Sequence, residues 1–118
     1  MEGAKPYDLE ERTFAYAKRV RRFVKAVPRT VRNAEDVKQL ARSSGSVGAN
    51  YIEANESLGK KDFLMHIRIS RKEAKESRFW LRLLDLNDDP VSVNECTALI
   101  QESTELMNIF GAILKKSM

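Results

Sequence analysis

Small residues crowd the stretch Ser43-Ser44-Gly45-Ser46-Val47-Gly48-Ala49-Asn50-Tyr51-Ile52-Glu53-Ala54, inside a segment whose apolar positions otherwise keep helical spacing. Two glycines in a helix interior cost roughly 1 kcal/mol each relative to alanine. Something tertiary must offset that cost, most simply a neighbouring helix packed so closely that larger side chains would clash. Val37, Leu40, Ser44, Val47, Tyr51, Ala54 and Leu58 recur at alternating spacings of three and four, which places them along one seam. Ser43, Ser46, Asn50, Glu53 and Ser57 form a polar stripe beside it. The spacing predicts a helix over residues 34–58, closed by Gly59 as a left-handed cap.

Three further segments carry the same signature. Asp8 and Glu11 read as a capping box for a helix over residues 8–27, which Pro28 ends. Its apolar face holds Leu9, Thr13, Tyr16, Ala17, Val20, Phe23, Val24 and Val27. A third helix, residues 62–86, buries Phe63, Ile67, Ser70, Ala74, Ser77, Leu81 and Leu84. The turn Asn87-Asp88-Asp89-Pro90 precedes a fourth, residues 92–116, with Ser92 and Glu95 as a second capping box. No stretch reads as a strand. With 118 residues the chain fits one domain, and four helices joined by short turns predict an all-α, antiparallel up-down-up-down four-helix bundle.

Several chemistries find no support. No apolar run approaches the roughly 18 residues of a membrane span, and Met1 to Pro6 lacks the apolar core of a secretory signal, so a cytoplasmic protein without a membrane partner is expected. Cys96 is the single cysteine and reads as a small buried hydrophobe. His66 is the one histidine, and the residue three before it is Phe63, so the paired Glu-x-x-His motifs of a di-iron bundle are missing. No nucleophile elbow or phosphate-cradling glycine loop occurs. Glu53, Glu73 and Glu76 could form a carboxylate site only if their stripes face one another; pairing with arginines is the expected alternative. The chain is therefore read as non-enzymatic, without cofactor or metal.

Charge is more informative. Arg12 through Ala34 contains eight basic residues and no acidic one, although the net charge of the chain is only +4. On the first helix Lys18, Arg21, Arg22 and Lys25 project opposite the apolar face, with Arg29 just beyond and Phe14 in the same arc. Such a surface attracts polyanions by counterion release, and an exposed aromatic can stack on an unpaired base; Phe14 as an oligomer contact is the other reading. On the third helix Arg68, Arg71, Lys75, Arg78 and Arg82 make a basic row. Across from it Ile69, Glu73, Glu76, Trp80 and Leu83 mix acid with large apolar groups, either as a subunit or partner interface or as a widened core.

The run Tyr7 to Phe14, the segment Ser43 to Ala54, the Lys61-Asp62-Phe63 turn and the stretch Lys72 to Leu81 together resemble the bacterial four helix bundle family, also called the 23S rRNA intervening-sequence protein family. The resemblance covers nearly the whole chain. It implies an antiparallel bundle assembled as a homo-oligomeric ring, commonly a homopentamer, and it supplies no catalytic residues. A related group, the accessory proteins of diversity-generating retroelements, comprises basic ring-shaped bundles that bind nucleic acid and a reverse transcriptase. The expectation is an oligomeric bundle that binds RNA or DNA through Lys18, Arg21, Arg22, Lys25 and Arg29. Arg71, Lys75, Arg78 and Arg82 join them if assembly aligns the rows. A protein-binding scaffold using Ile69, Glu73, Glu76 and Trp80, or a reverse-transcriptase accessory factor, is the competing reading.

Overall fold

The computed structural model describes residues 6–118, with side chains from Asp8 onward. Met1 to Lys5, read above for a targeting signal, and the side chain of Tyr7 lie outside the described residues. Four helices follow one another: α1 (Pro6–Val24), α2 (Val31–Asn55), α3 (Lys60–Leu83) and α4 (Pro90–Ser117). Each of α1 and α3 packs against both α2 and α4, while the diagonal helices meet only through long side chains reaching into the centre, as where the Tyr51 ring of α2 lies 5.9 Å from that of Phe110 of α4. The result is a four-cornered bundle around one core.

Every helix begins and ends a few residues earlier than its spacing suggests, except that α4 runs one residue longer, and local hydrogen bonding explains the shifts. Proline suits a first helical turn, where its missing N–H costs nothing, so α1 starts at Pro6. Asp8 then sits within that turn rather than capping it. Past Val24 the amides of Lys25, Ala26 and Val27 reach back three residues to Arg22, Phe23 and Val24, at 3.3, 3.0 and 3.2 Å. The helix thus closes before Pro28, whose ring disfavours a helical conformation at Val27. The Thr30 hydroxyl accepts the Asn33 amide at 3.1 Å, so α2 starts at Val31. At its other end the Glu56 amide is shared between the carbonyls of Ile52 and Glu53, and Leu58 leaves the seam fully exposed.

Two caps differ in kind from the sequence reading. Gly59 is extended, with φ −154°, and opens α3 instead of closing α2 in a left-handed conformation. Asp89, not Ser92, caps α4: its carboxylate accepts the Ser92 amide at 2.9 Å and Pro90 occupies the first turn. The left-handed residues are Asn87 and Asp88, at φ 55° and 57°, types whose short polar side chains tolerate that conformation.

Tyr16, Val20, Leu40, Val47, Ile67, Leu81, Leu99, Leu106 and Phe110 fill the core. Close packing does explain one of the two helical glycines. A β-carbon on Gly48 would lie 2.8 Å from Thr13 Oγ1, so α1 approaches α2 only because Gly48 has none. Gly45 has open space around it and no such role. Where α2 meets α3 the small side chains are polar and satisfied. The Ser43 and Ser77 hydroxyls pair at 2.8 Å, and the Ser70 hydroxyl donates to the Val47 carbonyl at 2.9 Å. Ser43, placed by spacing on a polar stripe, is wholly buried. Tyr16 reaches Ser103 of α4 at 2.6 Å.

Asn33, also wholly buried, ties the two turns at one end of the bundle together. Its Nδ2 donates to the carbonyls of Pro28 and Asp85, and its Oδ1 accepts the Asp85 amide at 3.0 Å.

Candidate nucleic-acid interface

Helix α1 carries its cations on two sides, and the fold sorts them. Arg12 and Arg19 point along α4. Arg12 forms a two-pronged bond with Glu102, both prongs 2.8 Å, and reaches Glu105 at 2.8 Å. Arg19 grips Glu95 through Nε and Nη2, at 2.6 and 2.9 Å. These hydrogen bonds raise the pKa of both guanidinium groups and hold the Glu95 carboxyl below its ordinary range. Arg32 lies 3.6 Å from Asp85.

Lys18, Arg21, Arg22, Lys25 and Arg29 differ from those three. All are exposed, and none has a salt bridge to a described carboxylate. Lys18 Nζ instead lies 5.5 Å from the centroid of Phe14, a ring that is 58% exposed. The outer face of α1 thus presents cations and an aromatic, with Glu11 at its N-terminal end and Glu95 within electrostatic reach of Arg22 as the acids nearest them. Arg29 extends the face into the turn, beside the groove formed by Pro28, Val31 and Val37.

The acidic-aromatic stripe of α3 does not stay together as one surface. Glu73 is buried and Glu76 half-buried, and Arg42 of α2 takes both, at 3.3 and 3.0 Å. Arg42 is the residue that spacing alone did not single out; its place one turn before Ser46 on the edge of α2 was the available signal. Trp80 is half-buried against the core, stands edge-on to the exposed Phe79 at 5.0 Å, and keeps a buried Nε1 without an acceptor. Ile69 is half-buried beside the exposed Met65. Met65, Ile69, Phe79 and Leu83 therefore lie on one outward stripe of α3 as two apolar pairs, with Lys72 and Glu76 between them.

Other candidate groups are separated. Glu53 is exposed, away from Glu73 and Glu76, while Asn50 Oδ1 contacts His66 Nδ1 at 3.2 Å. Among the described residues no group of three or more His, Cys, Asp or Glu side chains is arranged to hold a metal ion. Cys96 is buried, its thiol donates to the Leu81 carbonyl, and burial pushes its pKa up to about 11, so little thiolate exists at neutral pH. Among the described residues no helix is long and apolar enough to cross a membrane.

The family model for 23S rRNA-intervening sequence proteins matches residues 6–112, which takes in α1, α2, α3 and most of α4. The chain belongs to that family. Among solved structures it is similar to a protein of unknown function from the S23 ribosomal protein family of Bacteroides thetaiotaomicron. The two share 27% identity over 95% of this chain and 99% of that one, with a TM-score of 0.78. No curated protein matches the chain. Family membership therefore carries the bundle and leaves the chemistry to be argued from the surface.

Proposed function

We propose that this intervening-sequence family member is a non-enzymatic, cytoplasmic, oligomeric bundle that binds RNA or DNA by its phosphates. The observation that carries the reading is the sorting of cations on α1. The arginines facing α4 are neutralised, while Lys18, Arg21, Arg22, Lys25 and Arg29 are exposed without a salt bridge. Unpaired cations gain most from a polyanion, because its condensed counterions are released without first breaking an internal ion pair. The helices run up-down-up-down in this reading. The contacts Arg12 to Glu105, Tyr16 to Ser103 and Arg19 to Glu95 support it, descending α4 as they ascend α1. A homo-oligomeric ring, pentameric as the family resemblance implies, would repeat the cationic face and multiply weak contacts into avidity.

The test is binding of labelled single-stranded RNA, structured RNA and duplex DNA across a salt series. Affinity should fall steeply as salt rises. The triple charge reversal Arg21→Glu, Arg22→Glu, Lys25→Glu should weaken binding several-fold and flatten the dependence on salt, with helicity unchanged. Unaltered affinity removes the assignment to α1.

A second reading rests on the outward stripe of Met65, Ile69, Phe79 and Leu83, with Trp80 at its edge. Outward apolar pairs on a helix that already has a buried face fit a protein contact, either another subunit or a partner such as a reverse transcriptase.

A further inference from the structure

We propose that one molecule binds two nucleic-acid strands at once, through the α1 face and through a second, separate cationic face on α3, and so bridges them. The inference rests on the nucleic-acid reading above and extends it to a site on the diagonally opposed helix.

Along α3, Arg68, Arg71, Lys72, Lys75, Arg78 and Arg82 occupy one broad side, and none has a salt bridge to a described carboxylate. The acids of the helix, Asp62, Glu73 and Glu76, lie on the other side, where His66 and Arg42 take them. From Arg68 to Arg82 the row runs about 21 Å at the rise of an α-helix, enough to follow about six phosphates of one strand. Its second wall is α4, whose facing stripe carries no acidic residue and ends in the exposed Lys115. Arg78 Nη1 donates to Thr104 Oγ1 at 3.2 Å, and Arg71 Nε comes within 3.6 Å of where a β-carbon on Gly111 would sit. Thr97 and Asn108 fall on the same helical stripe as those two residues, and both are exposed. Phe79, 52% exposed, supplies an aromatic beside the row, as Phe14 does on α1.

The two faces do not merge. Glu95, Glu102 and Glu105 stand on the α1 side of α4, ion-paired with Arg12 and Arg19, and make a rib between the faces that carries no free cation. A strand passing from one face to the other over α4 would cross a strip whose two arginines are already taken by carboxylates and offer its phosphates no free cation, so each face holds its own backbone.

The experiment immobilises a single-stranded RNA of about 20 nucleotides and asks whether added protein captures a second, labelled, non-complementary RNA at low salt. Wild type should retain the labelled strand. The α3 variant Arg68→Glu, Lys75→Glu, Arg82→Glu should still bind a single strand in fluorescence anisotropy, yet lose at least tenfold in capture. The glutamine version of the same triple should lose capture in the same direction, which guards against a folding defect in the reversal. Binding by wild type without capture overturns the bridge alone, as does capture by the α3 variant equal to wild type, which would place both strands on α1 faces of an oligomer. Absence of any RNA binding by wild type overturns the nucleic-acid reading and the bridge together.

Discussion

At the residue scale the two glycines of α2 have opposite consequences. Thr13 Oγ1, which a β-carbon at position 48 would meet at 2.8 Å, is held by its own hydrogen bonds to the carbonyls of Leu9 and Glu10. It has nowhere to turn, so the helix must move. Gly48→Ala should destabilise the fold by about 1–3 kcal/mol, the overpacking cost exceeding the gain in helix propensity. Gly45 meets nothing, and Gly45→Ala should stabilise by up to about 1 kcal/mol. Urea unfolding of the two variants checks both; equal effects would mean that α1 and α2 do not approach at Gly48.

Between elements, α1 is held to α4 largely by ion pairs and α2 to α3 by buried hydroxyls, and acid should distinguish them. Glu95 is held below its ordinary carboxyl pKa, first by the Arg19 hydrogen bond. Its stabilising contribution is thus complete above the unfolded carboxyl range and is lost as pH falls through the lowered value. Both partners are about a third or more exposed, so the contribution is no more than about 1 kcal/mol. Glu95→Gln should lower the melting temperature at pH 7, and the difference from wild type should shrink as pH falls through the lowered Glu95 value. The Ser43 to Ser77 pair, buried and neutral, should give no such pH dependence.

For the whole molecule, the decisive property is how charge and apolar surface are distributed over the corners of the bundle. Cations dominate the outer face of α1 and one side of α3, acids line the α1 side of α4, and two apolar pairs lie on an outward stripe of α3. If that stripe is a subunit contact, Trp80→Ala should lower the mass measured by light scattering, because the ring supports Phe79 from behind. An unchanged mass would return Trp80 to a purely core role.

Helix number, order and most inward faces were legible in the residues, because a period of 3.6 leaves a strong signal wherever one side of a helix is buried. Leu40, Val47, Tyr51, Ile67, Ala74 and Leu81 all lie where spacing puts them. Ends were less legible, since caps depend on one or two hydrogen bonds: Thr30, Asp89 and the tightened turn after Val24 each moved a boundary. The sequence by itself determined that eight cations crowd residues 12–34, that two glycines interrupt a helix and that α3 has more than one apolar side. Only the tertiary structure decided which cations are neutralised, which glycine is indispensable and that Arg42 takes Glu73 and Glu76. Each of those outcomes depends on what a different helix brings within about 3 Å of a side chain, and one helix's own periodicity contains nothing about its neighbour's register.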